Sequence, residues 1–221
     1  MIIVEDVHKR YLTDHGPSRW ILRGVTLTIP ARVNVGLVGR NGAGKSTLLR
    51  LIGGSDQPTL GRIERRCRVS WPMGRAGGLQ GALTARQNAR FVCRIQGHDD
   101  DIPERVAEIE AFAELGEYFD EPVNTYSSGM RSRLQFALSL AFDFDVYVID
   151  ETIGAGDASF RKKARAAFKN RADHASVIMV SHSEATLRQF CEAGIWLDNG
   201  GVRWFDDIND ALAAYEGSLP G

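Results

Sequence analysis

The stretch that decides the fold of this chain is Gly39-Arg40-Asn41-Gly42-Ala43-Gly44-Lys45-Ser46-Thr47. An apolar run over 33–38 precedes it, and a helical pattern over 47–52 follows it. Its glycines let the backbone turn so that successive N–H groups point inward, and the helix N-terminus adds positive potential. A complete G-x-x-x-x-G-K-[ST] motif between a strand and a helix is typical of a phosphate-binding loop.

The side chains of this loop have distinct predicted roles. Lys45 reaches the β- and γ-phosphates as a point charge, Ser46 holds Mg²⁺, and Thr47 adds a phosphate contact. The backbone supplies the remaining predicted phosphate contacts, at Gly39, Asn41, Gly42, Ala43 and Gly44.

A second motif places two carboxylates after a buried strand. The apolar run over 146–149 is followed by Asp150 and Glu151. Parallel sheets bind ligands at the carboxyl ends of their strands. We therefore expect Asp150 to hold Mg²⁺ through its water shell and Glu151 to orient and polarise an attacking water.

Composition limits the classes of protein that fit. The chain has 221 residues, 43% of them hydrophobic and 25% charged, which suits one globular domain with a modest insertion. A formal net charge of -1 gives no indication of nucleic acid or of an anionic membrane surface as a partner. Cys67, Cys93 and Cys191 lack metal-ligand spacing and indicate free thiols in a reducing compartment.

The chain shows no signal peptide and no apolar run of the roughly 18 residues needed to span a bilayer. We expect it in the cytoplasm, with any membrane-spanning part supplied by another chain.

Strands alternating with helices predict an α/β fold with a mostly parallel sheet. The mid-chain helical stretch reads as an insertion, so we expect a nucleotide-binding core over about 1–78 and 143–221 and a helical subdomain over about 79–142. Strands are predicted over 2–7, 27–29, 33–38, 68–71, 146–149, 176–180, 195–197 and 202–205. Helices are predicted over 47–52, 84–113 with breaks at Gly97 and Pro103, 129–142, 157–168, 184–190 and 206–215, with Thr84 as an N-cap.

Three further motifs narrow the class. Tyr126-Ser127-Ser128-Gly129-Met130 begins an amphipathic helix and resembles the ABC signature Leu-Ser-Gly-Gly-Gln, matching it at Ser127 and Gly129. His182 follows a predicted strand and resembles the family's switch histidine. Gly156-Asp157 resembles the D-loop. The motifs occur in family order and cover nearly the whole chain.

The resemblance implies a P-loop NTPase of the ABC ATPase type, with an antiparallel N-terminal β portion besides the parallel sheet and the helical subdomain. ATP and Mg²⁺ are the implied ligands, and the implied catalytic residues are Glu151, His182 and Gln80. Ser46, Gln80 and Asp150 are the implied metal site. In the family, the signature and D-loop of one subunit meet the nucleotide of the other, so Ser127, Ser128, Gly129, Met130 and Asp157 are predicted to bind ATP across a homodimer.

Two assignments have competitors. The family's aromatic residue that stacks on adenine is here Tyr11 or Trp20, with Tyr11 preferred. Gln80 fits the Q-loop better than Gln87, because Gln87 lies inside a predicted helix. Ser128 and Met130 depart from the family signature and either weaken the dimer contact or mark a subfamily.

Residues 70–74, 77–81 and 126–134 look like the ATPases of Gram-negative capsular polysaccharide exporters. That resemblance implies two copies of a polytopic inner-membrane permease, a lipid-linked polysaccharide substrate, periplasmic and outer-membrane export proteins, and a place on the cytoplasmic face of the inner membrane. No nucleic acid partner is expected. Relatives that export O-antigen often carry an extra C-terminal sugar-binding domain, and we expect none here, because the chain ends at Gly221. Export of O-antigen, teichoic acid or lipid is the first alternative; a non-transport ABC ATPase, and a P-loop kinase or GTPase, are the others.

Overall fold

The computed structural model describes residues 1–14, 16–73, 79–150, 157–172 and 174–219. They form two compact units, one containing residues 1–72, 144–150 and 174–219, the other residues 73, 79–143 and 157–172. No helix among these described residues is long and apolar enough to cross a membrane.

The first unit is built around a five-stranded sheet of order β10-β9-β5-β8-β7. Its strands are β5 Val35–Val38, β7 Val146–Asp150, β8 Ser176–Val180, β9 Ala193–Asp198 and β10 Gly201–Phe205. The inner strands pair in parallel and β10 pairs antiparallel with β9. Every residue of β5, β7 and β8 is buried, as expected for parallel strands covered on both faces.

A second, antiparallel sheet of order β4-β1-β6 completes the β structure of this unit, beside a short hairpin of β2 and β3. Its strands are β1 Ile2–Lys9, β4 Leu22–Ile29 and β6 Leu60–Arg65, and the hairpin strands are Leu12–Thr13 and Gly16–Pro17. The helices of the unit are α1 Lys45–Ile52, α6 Glu184–Phe190 and α7 Ile208–Glu216. Both sheets and α1 contribute side chains to one apolar core.

The second unit is helical. It contains α2 Ala85–Ile95, α3 Ile102–Ala113, α4 Ser128–Leu140 and α5 Ala158–Ala172, with short 3₁₀ turns at Gly116–Asp120 and Val123–Thr125. The predicted N-cap Thr84 forms a full capping box with Gln87. Pro103 lies in the first turn of α3, where its missing N–H costs nothing. Residues 157–168 were expected in the nucleotide-binding core. Helix α5 instead belongs to the helical unit, where the ring of Phe160 packs on Phe112 and Phe136.

Several strands differ from the sequence-based expectation: β4 begins at Leu22 where a strand was predicted from Leu27, and the β2–β3 hairpin was not predicted. Residues 68–71 do not form the predicted strand, because the Ser70 hydroxyl accepts the Val148 N–H where a strand would offer a backbone carbonyl, leaving an isolated bridge between Val69 and Val146. Strand β6 was not predicted, because Ile63 is flanked by charged residues. Charges of this kind are common on an exposed edge strand.

The predicted fold class is confirmed: the sheet is mostly parallel, an antiparallel sheet forms from the N-terminal region, and a helical unit interrupts the chain.

Candidate nucleotide site

The phosphate loop connects β5 to α1 and takes a shape that glycine alone permits. Gly39 has φ +148 and Gly44 has φ +108, both in the region that L side chains avoid. A Cβ added to Gly39 would lie 2.4 Å from the carbonyl oxygen of Leu197. The first unit therefore dictates these glycines by its own packing.

The amino end of α1 is suited to an anion. Gly44 precedes the helix without a side-chain cap, and the described residues of the first turn include no acid. Its leading N–H groups and the helix dipole thus favour a phosphate group here.

Lys45 bends back over the loop. Its Nζ donates to the carbonyl oxygen of Gly39 at 2.6 Å and to that of Arg40 at 3.0 Å. Burial lowers the pKa of Lys45, and the negative charge of Asp150 opposes that shift. The ammonium is thus held inside the turn that the predicted phosphates would enter.

Ser46 and Asp150, predicted metal ligands from distant parts of the sequence, lie together. The Ser46 Oγ donates to Asp150 Oδ1 at 3.2 Å, and Asp150 is only 4% exposed at the end of β7. A hydroxyl beside a buried carboxylate offers the hard oxygen ligands that Mg²⁺ prefers, directly or through water, so these residues fit the ion. A bound Mg²⁺ would neutralise phosphate charge there. Glu151, the predicted catalytic carboxylate, lies outside the described residues.

His182 joins the loop at a shared cavity. The cavity has a volume of about 290 Å³, and its lining includes Gly39, Asn41, Lys45 and His182. The Ser181 hydroxyl accepts the Ser183 N–H, and the Ser183 hydroxyl in turn caps α6, so His182 lies on a turn closed by its neighbours. The structure thus brings His182 to the loop, and its catalytic role stays a prediction.

The preferred adenine residue, Tyr11, is anchored through its hydroxyl. The Tyr11 hydroxyl donates to Asp56 Oδ2 at 2.9 Å and accepts from Arg50 at 3.0 Å. The Lys9 ammonium lies 4.7 Å from the centre of the Tyr11 ring and also binds Asp56 at 2.6 Å. Arg50 reaches the Thr47 hydroxyl at 3.5 Å, which links Tyr11 to the loop.

Trp20, the alternative, contacts Arg10 at 4.5 Å and His8 at 5.5 Å between ring centres. Trp20 is followed by Ile21, whose Cγ2 would lie 3.0 Å from a Cβ added to Gly44, so both candidates are linked to the phosphate loop. The choice between the two stays a prediction. Sequence reasoning did not single out Arg50 or Asp56, because their contacts with Tyr11 join distant positions.

In the second unit, the signature-like segment caps α4. The Ser127 hydroxyl accepts the Met130 N–H at 3.2 Å, and both Ser127 and Ser128 are exposed. A Cβ added to Gly129 would have Ser127 Oγ as its nearest atom, at 3.9 Å. Tyr126, which departs from the family leucine, is buried and donates its hydroxyl hydrogen to the Tyr118 carbonyl.

Asp157 caps α5. Its Oδ1 accepts the Phe160 N–H at 2.9 Å, and its Oδ2 forms an ion pair with Arg133. The Phe160 N–H lowers the pKa of Asp157, with partial desolvation opposing and Arg133 reinforcing the shift. Gly156 lies outside the described residues.

Gln80 is exposed, and its backbone is held by a residue that sequence reasoning missed. Fully buried Asn88 accepts the Gln80 N–H at 2.8 Å and donates to the Gln80 carbonyl at 3.1 Å. Asn88 could have been identified from the sequence as a polar residue on the otherwise apolar, buried face of α2. Gln87 is committed to the capping box, which agrees with the preference for Gln80.

The sequence profile of the ABC transporter family matches residues 22–154, which include the phosphate loop, the signature-like segment and the acidic pair. This chain belongs to the ABC transporter family. It is an ATPase, and the resemblance to capsule-export ATPases is confirmed by its relatives.

Two full-length ABC relatives are close in sequence. The capsule polysaccharide export ATP-binding protein CtrD of Neisseria meningitidis serogroup B (strain ATCC BAA-335 / MC58) is 47% identical, covering 100% of both chains. The polysialic acid transport ATP-binding protein KpsT of Escherichia coli is 46% identical, covering 99% of this chain and 100% of its own. Among solved structures, the dimeric bacterial ABC transporter cassette MJ0796 superposes with a TM-score of 0.70 at 25% identity, covering 94% of this chain and 99% of that one.

Proposed function

We propose that this ATPase drives the export of capsular polysaccharide across the bacterial inner membrane. The observation that carries the proposal is the Ser46–Asp150 pair beside the Lys45 loop, in a chain that is similar over its full length to the capsule-export protein CtrD. The loop supports binding and hydrolysis of ATP, and the names of the relatives support the class of transported substrate.

The predicted site residues have defined tasks in the proposed reaction. Lys45 and the α1 amides bind the triphosphate and stabilise charge that develops on the γ-phosphate. Ser46 and Asp150, with Gln80, would hold Mg²⁺. Glu151 accepts hydrogen bonding from the attacking water and orients it, and His182 contacts the γ-phosphate from the cavity side.

The proposed working form is a homodimer in which each nucleotide contacts two chains. Ser127, Gly129 and the adjoining N–H groups of α4 present a helix N-terminus to the γ-phosphate bound by the partner, with Asp157 nearby. The solved cassette MJ0796 is dimeric, which supports this arrangement. ATP then joins the two chains, and its hydrolysis lets them separate.

The proposed location is the cytoplasmic face of the inner membrane, on two copies of a polytopic permease. The carried substrate is a lipid-linked polysaccharide, which passes on to periplasmic and outer-membrane export proteins. Relatives named for polysialic acid and capsule transport support this substrate class.

The test is to purify the chain with the candidate permease in lipid and measure ATP hydrolysis with and without lipid-linked capsular polysaccharide. We expect stimulation by capsular polysaccharide and no stimulation by lipid-linked O-antigen. The matched control is Lys45→Ala, which should copurify with the permease yet show no stimulated turnover. Stimulation by O-antigen alone would overturn the substrate assignment.

A further inference from the structure

Arg133, in the second turn of α4, joins the signature-like segment to the start of α5. Its Nη2 donates to Asp157 Oδ2, and its guanidinium carbon lies 5.0 Å from the centre of the Phe160 ring. Only 20% of the Arg133 side chain is exposed. Arg133 on α4 therefore makes two contacts with the start of α5: an ion pair with the N-cap Asp157 and a cation–π contact with the ring of Phe160 in the first turn.

Asp157 is held from both sides. While Oδ2 binds Arg133, Oδ1 accepts the Phe160 N–H at 2.9 Å. Phe160 is itself buried against Phe112 and Phe136. Because α4 begins with Ser127 at its N-cap, the guanidinium links the helix that carries Ser127 to Asp157 within the helical unit.

We propose that Arg133 is a positioning residue that holds Asp157 and the N-terminus of α4 in one geometry, so that both reach the partner's nucleotide together. This inference rests on the proposed function, in which a dimer completes each site. Arg133 acts through Asp157 and α4 and does not itself contact the nucleotide.

Lys163 provides a matched control within the same cluster. Its Nζ donates to Glu114 Oε1 at 2.6 Å and to the Phe112 carbonyl at 3.0 Å, while Arg133 donates to the Glu114 carbonyl at 3.3 Å. Both cations thus hold the end of α3. Of these two cations, only Arg133 forms an ion pair with Asp157 among the described residues.

The experiment compares Arg133→Ala, Arg133→Lys and Lys163→Ala by steady-state ATP hydrolysis. For Arg133→Ala we expect kcat to fall about 10- to 100-fold because of misplaced groups, with KM for ATP unchanged within about twofold. The dependence of rate on ATP concentration should also become less steep. Arg133→Lys should recover part of kcat, since lysine keeps the positive charge but lacks the planar guanidinium group. The control Lys163→Ala should hydrolyse ATP like the unmodified chain.

A double-mutant cycle with Asp157→Asn separates positioning from general destabilisation. If Arg133 acts through Asp157, the loss of kcat in the double variant should be smaller than the product of the single losses. Unchanged kcat in Arg133→Ala, or independent losses in the cycle, would overturn the proposal, as would equal losses in Arg133→Ala and Lys163→Ala. If Arg133→Ala does not fold, Arg133→Gln carries the same comparison.

A different experimental result would show that the proposed dimer does not form. Glu151→Gln that remains monomeric with ATP contradicts the composite site itself. If Glu151→Gln forms the dimer with ATP but Arg133→Ala keeps its kcat, only the positioning role of Arg133 is excluded and the composite site stands.

Discussion

The phosphate loop and the N-terminus of α4 each place glycine at the start of a helix, but the packing around the two glycines differs. At Gly39 a Cβ would lie 2.4 Å from the Leu197 carbonyl oxygen, so the chain itself forbids a side chain. At Gly129 the nearest atom to a Cβ is 3.9 Å away, and the residue is helical. Glycine weakens a helix by about 1 kcal/mol relative to alanine, and packing within the described residues gives no reason for glycine at Gly129.

This contrast fits the proposed dimer, in which the loop binds ATP within one chain and the α4 end meets the nucleotide of a second. Changes in the loop should therefore act on the isolated chain. Changes at α4 should act on turnover by the dimer.

The largest expected effect is on nucleotide affinity in Lys45→Ala. The variant leaves phosphate charge without its partner inside the loop, which should cost about 3 kcal/mol or more, an affinity loss of at least about 100-fold. Titration of a fluorescent ATP analogue measures this loss of affinity. Unchanged affinity would remove Lys45 from the binding site.

Ser127→Asn is the next test, on the α4 side. Asn caps a helix as well as Ser does, so the unfolding free energy should stay the same. The kcat should nevertheless fall about 10- to 100-fold through loss of a transition-state hydrogen bond. ATP affinity of the isolated chain should not change. Full turnover by a stable Ser127→Asn chain would show that Ser127 serves only as a cap.

A pair of alanine substitutions tests the glycine contrast itself. Gly39→Ala should lower the free energy of unfolding by about 2 kcal/mol through backbone strain, while Gly129→Ala should raise it by about 0.4–1 kcal/mol. Urea unfolding measures both. Despite its added stability, Gly129→Ala should hydrolyse ATP slowly, because the new methyl group faces the partner's nucleotide. Equal destabilisation by the two substitutions would contradict the comparison.

The smallest expected effect is the pH dependence of Asp157→Asn. The Phe160 N–H, opposed by desolvation and aided by Arg133, lowers the pKa of Asp157 in the folded chain. A lowered folded pKa stabilises above the unfolded value of about 3.9, and that stabilisation is lost as pH falls through the folded pKa. The stability difference between the unmodified chain and Asp157→Asn should therefore be present at pH 7, begin to shrink below about pH 4 and vanish only below the folded pKa. A difference that is the same at both pH values would contradict it.

Local signals made much of this molecule predictable. The apolar run, glycine loop and helix around Lys45 were identified from short-range sequence alone, as were the buried strand that ends at Asp150 and the capping box at Thr84. The association of Ser46 with Asp150 followed from the rule that parallel strands present their carboxyl ends on one edge.

Other features depend on contacts between distant positions, which a single sequence does not reveal. Strand β6 forms because β1 offers it an edge, although its own residues are mostly charged. Asn88 beneath Gln80 and Arg133 beside Asp157 are defined by tertiary geometry. The role of Glu151 stays a prediction, because that residue lies outside the described ranges.

The most direct test is a structure of the Glu151→Gln variant with ATP and Mg²⁺, together with its mass in solution with ATP and with ADP. We predict a dimer with ATP and a monomer with ADP, with the Ser127 hydroxyl of each chain about 3 Å from the γ-phosphate held by its partner's loop. A chain that stays monomeric with ATP, or a dimer in which Ser127 faces away from the triphosphate, would contradict the account.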